Sequence, residues 1–258
     1  MGLWLLVVAA LVGGPAAGRA APAEWPGPYP GIAFEELQPL VRANAIFLLD
    51  VRNRSELLDP GRLPNSHNLP LHELDEALTL TATDFREKYG FVLPPPEQEM
   101  VLSCQSGFRA QAAAAKMIPA GYGNLRLYYG SFKDWARRGA PVSRVIPAED
   151  VRRRLAGGKG LVLDIRPAAI RDKEGHVTGS RALPAEELAG ALLLPPSGFE
   201  KKFGFRKPLY DDQLTVLGGG KDRALDSVAV FNERGYFDLR LYLGPMDNLG
   251  AETGTAAK

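Results

Sequence analysis

Short apolar runs bounded by turn residues alternate along this chain with longer segments whose apolar residues recur at helical spacing. Ile46 to Val51, Met100 to Ser103 and Leu125 to Tyr128 are runs of the first kind and predict strands buried on both faces. Phe34 to Arg42, Glu73 to Leu78, Ala110 to Pro119 and Ser131 to Arg138 predict helices, with Ala112 to Ala115 the stretch of highest helix propensity. Such alternation predicts an α/β fold, a parallel sheet flanked by helices on both faces. Chemistry in that fold belongs outside the carboxyl ends of the strands, which is where Cys104 falls, directly after Met100 to Ser103.

The pattern is written twice. A shift of 114 residues (164 − 50) lays Leu49-Asp50-Val51-Arg52 on Leu163-Asp164-Ile165-Arg166 and Leu125-Arg126-Leu127-Tyr128 on Leu239-Arg240-Leu241-Tyr242. Between these, Leu69-Pro70, Glu73-Leu74, Phe85, Lys88, Gly90 and Phe91 meet the same residue types without a gap. A period this long marks a duplicated domain, since repeat arrays use about 20 to 50 residues. The expected domains are 31–140 and 144–250, with the linker at Arg138 to Ser143.

Composition narrows the function. Hydrophobic residues at 45% and charged residues at 24% fit a folded soluble protein. A balance of 31 Lys and Arg against 30 Asp and Glu argues against nucleic acid as a partner. The apolar run Leu3 to Val12, followed by small residues up to Ala21, is too short for a comfortable membrane span. It predicts a secretory signal peptide over 1–20, against the alternative of an uncleaved anchor. The expected location is the secretory pathway or a periplasm-like compartment, with no stable membrane association once the signal is removed. Residues 21–31 are rich in Pro and Gly and read as an extended lead-in, and the tail from Gly250 is expected to fray.

Cys104 is the one cysteine, so an intramolecular disulfide and a multi-cysteine zinc site are excluded. No metal or other cofactor is expected, because His67, His72 and His176 lack ligand spacing and read as surface or loop residues. The turn Cys104-Gln105-Ser106-Gly107-Phe108-Arg109 leads from strand to helix. With Gly107 free in φ, such a loop can aim backbone N–H groups at the sulfur, and the helix N-terminus and Arg109 add positive potential. These features predict a thiolate at neutral pH, the alternative being an inert buried cysteine. In the second copy Gly218 stands in place of the cysteine, Lys221 in place of Gly107, and Arg223 in place of Arg109. The run Gly218 to Lys221 lacks the spacing of a phosphate loop and reads as a degenerate copy.

On LLDVR at Leu48 to Arg52, GRLPNSHNLP at Gly61 to Pro70, CQSGFR at Cys104 to Arg109 and GSFKDW at Gly130 to Trp135, the chain resembles the rhodanese family of sulfurtransferases. The resemblance implies two tandem rhodanese-like domains, the first active and the second inactive. It implies a ping-pong enzyme in which Cys104 takes sulfane sulfur from a small donor such as thiosulfate. The resulting persulfide passes the sulfur to cyanide or to a thiol such as glutathione. Cys104 and Arg109 are then the catalytic residues, Gln105, Ser106, Gly107 and Phe108 bind substrate, and Asp50 and Arg52 support the first strand and loop. Arg62 stands where the family often has His, and Gln105 where it often has a base, so this loop is less positive than in many thiosulfate users.

Two other functions fit a cysteine in an anion cradle. A thiolate phosphatase or arsenate reductase would use the same nucleophile on a tetrahedral anion. Four residues separate Cys104 from Arg109, however, where phosphatases of this type use five. The third possibility is a secreted sulfur carrier or binding module that presents a persulfide without turnover.

Overall fold

The structure, a computed structural model, describes residues 26–157 and 160–250. The expected signal peptide and the tail beyond Gly250 lie outside the described residues.

In the first half the order is α1 (Phe34–Arg42), β1 (Phe47–Asp50), β2 (Ser66–Asn68), α2 (Leu74–Ala77), α3 (Ala82–Tyr89), β3 (Met100–Ser103), α4 (Phe108–Met117), β4 (Leu125–Leu127) and α5 (Ser131–Arg137). The sheet is parallel in the order β2-β1-β3-β4. Alternate side chains of each strand leave for opposite faces. Leu49, Leu102 and Leu127 pack with Leu74, Phe85, Ala110, Ala113, Ala114 and Met117 on one face. Leu48 and Val101 pack with Leu37, Val41, Phe132 and Trp135 on the other. Two covered faces explain why β3 reads as an unbroken apolar run up to its last residue.

The second half repeats this plan with β5 (Arg144–Val145), α6 (Ala148–Leu155), β6 (Leu161–Asp164), α7 (Ala168–Glu174), β7 (Arg181–Ala182), α8 (Ala185–Ala191), α9 (Pro196–Phe203), β8 (Leu214–Leu217), α10 (Lys221–Glu233) and β9 (Leu239–Tyr242). Its parallel order is β5-β9-β8-β6-β7. The strand β5 has its counterpart in the first half as a single parallel bridge from Gly31 to Leu127. Register agrees as well: Leu48 lies opposite Val101 as Val162 lies opposite Thr215, each pair 114 residues from the other.

The two halves meet along the linker. Arg62 and Ser143 exchange backbone hydrogen bonds of 2.8 and 3.2 Å, and the Val145 N–H donates to the Leu58 carbonyl at 3.0 Å. Helix α10 faces the edge strand β2 across a polar cleft of about 600 Å³ lined by Arg62, His67, Asn68, Asp226 and Asn232. His67 is therefore not the surface residue its polarity suggested. Its ring is stacked on Phe47 at 4.5 Å and tilted against Phe91 at 4.8 Å. Burial and the nearby Arg62 charge hold its pKa below the usual imidazole value.

Candidate active site

The sheet delivers Cys104 to the carboxyl end of its central strand β3, next to β1. From there the chain turns within four residues into α4, which starts at Phe108, two residues earlier than its alanines indicated. Gly107 makes the turn possible. Its φ is +91°, and a Cβ there would lie 2.6 Å from the Tyr129 carbonyl oxygen. Only glycine meets both demands without strain.

The Cys104 residue is 1% exposed. Its sulfur accepts the Gly107 N–H at 3.1 Å, and the Ser131 hydroxyl lies 3.8 Å away. The Cys104 N–H donates to Ser131 Oγ at 3.1 Å, while that hydroxyl donates to the Tyr128 carbonyl at 2.8 Å. The amides of Phe132 and Lys133, in the first turn of α5, donate to the carbonyls of Cys104 and Gln105 at 3.0 and 3.1 Å. The cysteine loop is thus tied at its floor to the end of β4 and the start of α5. Ser106 and Phe108 form its rim, with Phe108 79% exposed.

Asp50 and Arg52 lie beneath the loop, both fully buried. The Arg52 guanidinium donates to both Asp50 oxygens at 2.6 to 3.0 Å, to the Gly61 carbonyl at 2.9 Å and to Gln105 Oε1 at 3.5 Å. Its plane covers the Phe132 ring, 4.4 Å from the centroid. This pair joins β1 to the loop without touching the sulfur.

Arg109, expected to add positive potential to the loop, is itself paired. Its Nη1 and Nη2 donate to Glu56 Oε2 and Oε1 at 2.6 and 2.8 Å, a two-pronged ion pair. That bond to the guanidinium holds the Glu56 carboxyl below the usual carboxylate range, and the same bond raises the pKa of Arg109. Sequence reasoning missed both Glu56 and Ser131. The signal for Glu56 was the spacing Asn53-x-x-Glu56, a capping box in which the Asn53 N–H donates to Glu56 Oε2 at 3.1 Å. Ser131 has no such signal, since its φ of +52° is unusual for any residue but glycine.

The corresponding turn of the second half is built differently. There α10 begins at Lys221, and the positive φ values fall on Gly219 and Gly220, while Lys221, in the place of Gly107, is helical. A Cβ at Gly218 would lie 2.8 Å from both the nitrogen and the Cβ of Ala224. Arg223 folds back to donate to the Gly218 carbonyl. Yet Arg166 keeps its buried pair with Asp164 (2.7 Å) and its bond to the Gly175 carbonyl (2.9 Å), as Arg52 does with Asp50 and Gly61. Among the described residues no three His, Cys, Asp or Glu side chains converge as a metal site.

A doubly covered parallel sheet with one cysteine cupped by a strand-to-helix turn defines a cysteine-loop α/β protein. Residues 33–138 match the Rhodanese-like domain family. The chain is 39% identical over 105 residues to mouse thiosulfate sulfurtransferase/rhodanese-like domain-containing protein 3, covering 41% of this chain and 67% of that one. It is 35% identical over 105 residues to the Drosophila melanogaster rhodanese domain-containing protein CG4456, covering 41% and 95%. With human thiosulfate:glutathione sulfurtransferase it shares 32% over 110 residues, covering 42% and 95%. The chain belongs to the rhodanese-like family, and these relatives support sulfur transfer as its general chemistry.

Proposed function

We propose that the protein is a sulfurtransferase that carries sulfane sulfur on Cys104 between a small donor, thiosulfate or an organic persulfide, and cyanide or a low-molecular-weight thiol. The observation that carries this reading is the Cys104 sulfur at the floor of a turn whose Gly107 N–H is aimed at it. The sulfur attacks the outer sulfur of the donor as a thiolate. The donor S–S bond breaks, and its electron pair leaves on sulfite or on a thiolate. The Gly107 N–H and the N-terminus of α4 stabilise negative charge on the cysteine and then on the persulfide. An acceptor thiolate next attacks the outer sulfur and releases Cys104. Relatives named as thiosulfate sulfurtransferases support this direction.

The depth of the sulfur supports transfer of a slim terminal atom over attack on a tetrahedral phosphate, as does the short spacing from Cys104 to Arg109. The second half is read as a duplicate that kept the fold and the buried Asp164–Arg166 pair but lost the cysteine turn. Turnover of thiosulfate with cyanide, measured beside phosphatase activity on one preparation, tests the proposal. Sulfur transfer without phosphatase activity is expected, and lost when Cys104 is replaced by Ser. Phosphate release dependent on Cys104 would overturn it.

A further inference from the structure

The sulfur-transfer reading leaves open what limits the donor, and the charges around the loop bear on that. Asp50 pairs with Arg52 and Glu56 with Arg109, while Arg62 beside the first pair and the exposed Lys133 in the first turn of α5 add positive charge outside the loop itself. Arg52 is fully buried with its carboxylate and has no face toward the donor. Arg109 is about one-third exposed at the loop, and both of its Nη groups are taken by Glu56, which is about one-quarter exposed. Gln105, on the loop itself, is neutral. At Arg109 an incoming anion therefore meets an ion pair in place of a lone cation. The attraction of a pair falls off faster than that of a single charge, and the Glu56 carboxylate repels an anion that approaches Arg109 from its side.

We propose that Glu56 sets donor specificity by occupying Arg109, so that the site discriminates against the dianion thiosulfate in favour of sulfane donors with a single negative charge. This rests on the sulfur-transfer reading above. Glu56 does not touch the sulfur in the structure and acts through Arg109, as a positioning residue. It is held for that task from two sides. Its Oε2 accepts from the Asn53 N–H at 3.1 Å, and its backbone carbonyl accepts from Arg52 Nη1 at 3.3 Å. The bond to Arg109 lowers the Glu56 pKa, so the pair persists below the usual carboxylate range.

Thiosulfate and methanethiosulfonate separate charge from chemistry. Cys104 thiolate and thiosulfate give the persulfide anion and sulfite; Cys104 thiolate and methanethiosulfonate give the same persulfide anion and methanesulfinate. In each reaction one donor S–S bond breaks as one Cys104 S–S bond forms, with no net oxidation. The two donors differ by one negative charge.

Glu56→Gln keeps the shape of the side chain and an oxygen for the Asn53 N–H while removing the charge. In the full-length protein it is expected to raise kcat/KM for thiosulfate roughly tenfold, mainly through KM, and to change that for methanethiosulfonate much less. The gain should shrink as ionic strength rises, because a freed Arg109 is screened. The wild-type protein should favour methanethiosulfonate and show little dependence of thiosulfate KM on salt, a measurement independent of any variant. An unchanged ratio of the two donors in Glu56→Gln, or a wild-type thiosulfate KM that climbs steeply with salt, would overturn the proposal. If intact mass shows that neither donor adds sulfur to Cys104, the sulfur-transfer reading fails and this inference fails with it. Loading of Cys104 with an unchanged donor ratio removes only the inference.

Discussion

Single residues carry the strain of this site. Gly107 combines a left-handed backbone with contact against the Tyr129 carbonyl, so Gly107→Ala must both strain φ and push apart the loop and the end of β4. A destabilisation of about 1–3 kcal/mol is expected from the backbone conformation. Loss of sulfur transfer should be larger than that implies, because the Gly107 N–H is the donor to Sγ. Urea unfolding and turnover measured on the same variant check this, and an active Gly107→Ala would contradict it. Asp50→Ala is a different case. It leaves the Arg52 guanidinium buried without its carboxylate, an error expected to cost about 3–5 kcal/mol. The half-buried Glu56–Arg109 pair adds less to stability, and its dependence on pH has a definite sign. Since the folded-state pKa of Glu56 is depressed, its contribution is present above the unfolded carboxylate value of about 4.3 and is lost as pH falls through the folded value. Glu56→Gln should therefore flatten the acid limb of the stability profile.

A strand covered on both faces and a helix with one apolar face were legible from pattern alone. The strand Met100–Ser103 and the helix Phe34–Arg42 have the bounds the apolar pattern indicates. The short edge strand Ser66–Asn68 was not legible, because its three residues are polar and carry no apolar pattern. The helix Ala82–Tyr89 was also missed. Its polar sequence buries Phe85 alone, and its start depends on Thr81, whose hydroxyl accepts from the Asp84 N–H. The segment expected as a helix from Glu73 begins instead with a tighter turn over Leu71–Glu73 and becomes α-helical at Leu74. Candidate chemistry was legible as far as the loop sequence reached: Cys104, Gly107 and Arg109 could be named, but the partners of Arg109 and of the Cys104 amide come from segments 53 and 27 residues away. The close approach of Ala224 to Gly218 carries one expectation. Gly218→Cys in a Cys104→Ser background puts a Cβ into Ala224, so no sulfurtransferase activity should return and the variant should lose stability. Recovered turnover would show that the second turn can reopen.

At the scale of the whole molecule, two parallel sheets follow one strand plan and share one cysteine. The buried Asp164–Arg166 pair forms with no thiol in its half, so such a pair does not require one beside it. The second half also turns α10 toward β2, the edge strand of the first sheet, across the polar cleft. If only the first half works on sulfur, Arg109→Ala should alter thiosulfate kinetics while Arg223→Ala, whose guanidinium is folded onto the Gly218 carbonyl, leaves them near wild type. Equal effects in steady-state assays would mean that the halves share one site. The central claim, that Cys104 itself bears the sulfur, is tested most directly by intact mass spectrometry after incubation with a sulfane donor, thiosulfate or methanethiosulfonate. The wild-type chain should gain the mass of one sulfur atom and lose it on addition of cyanide, while Cys104→Ser gains nothing. A gain of sulfur by Cys104→Ser, or none by the wild type with either donor, would contradict the account.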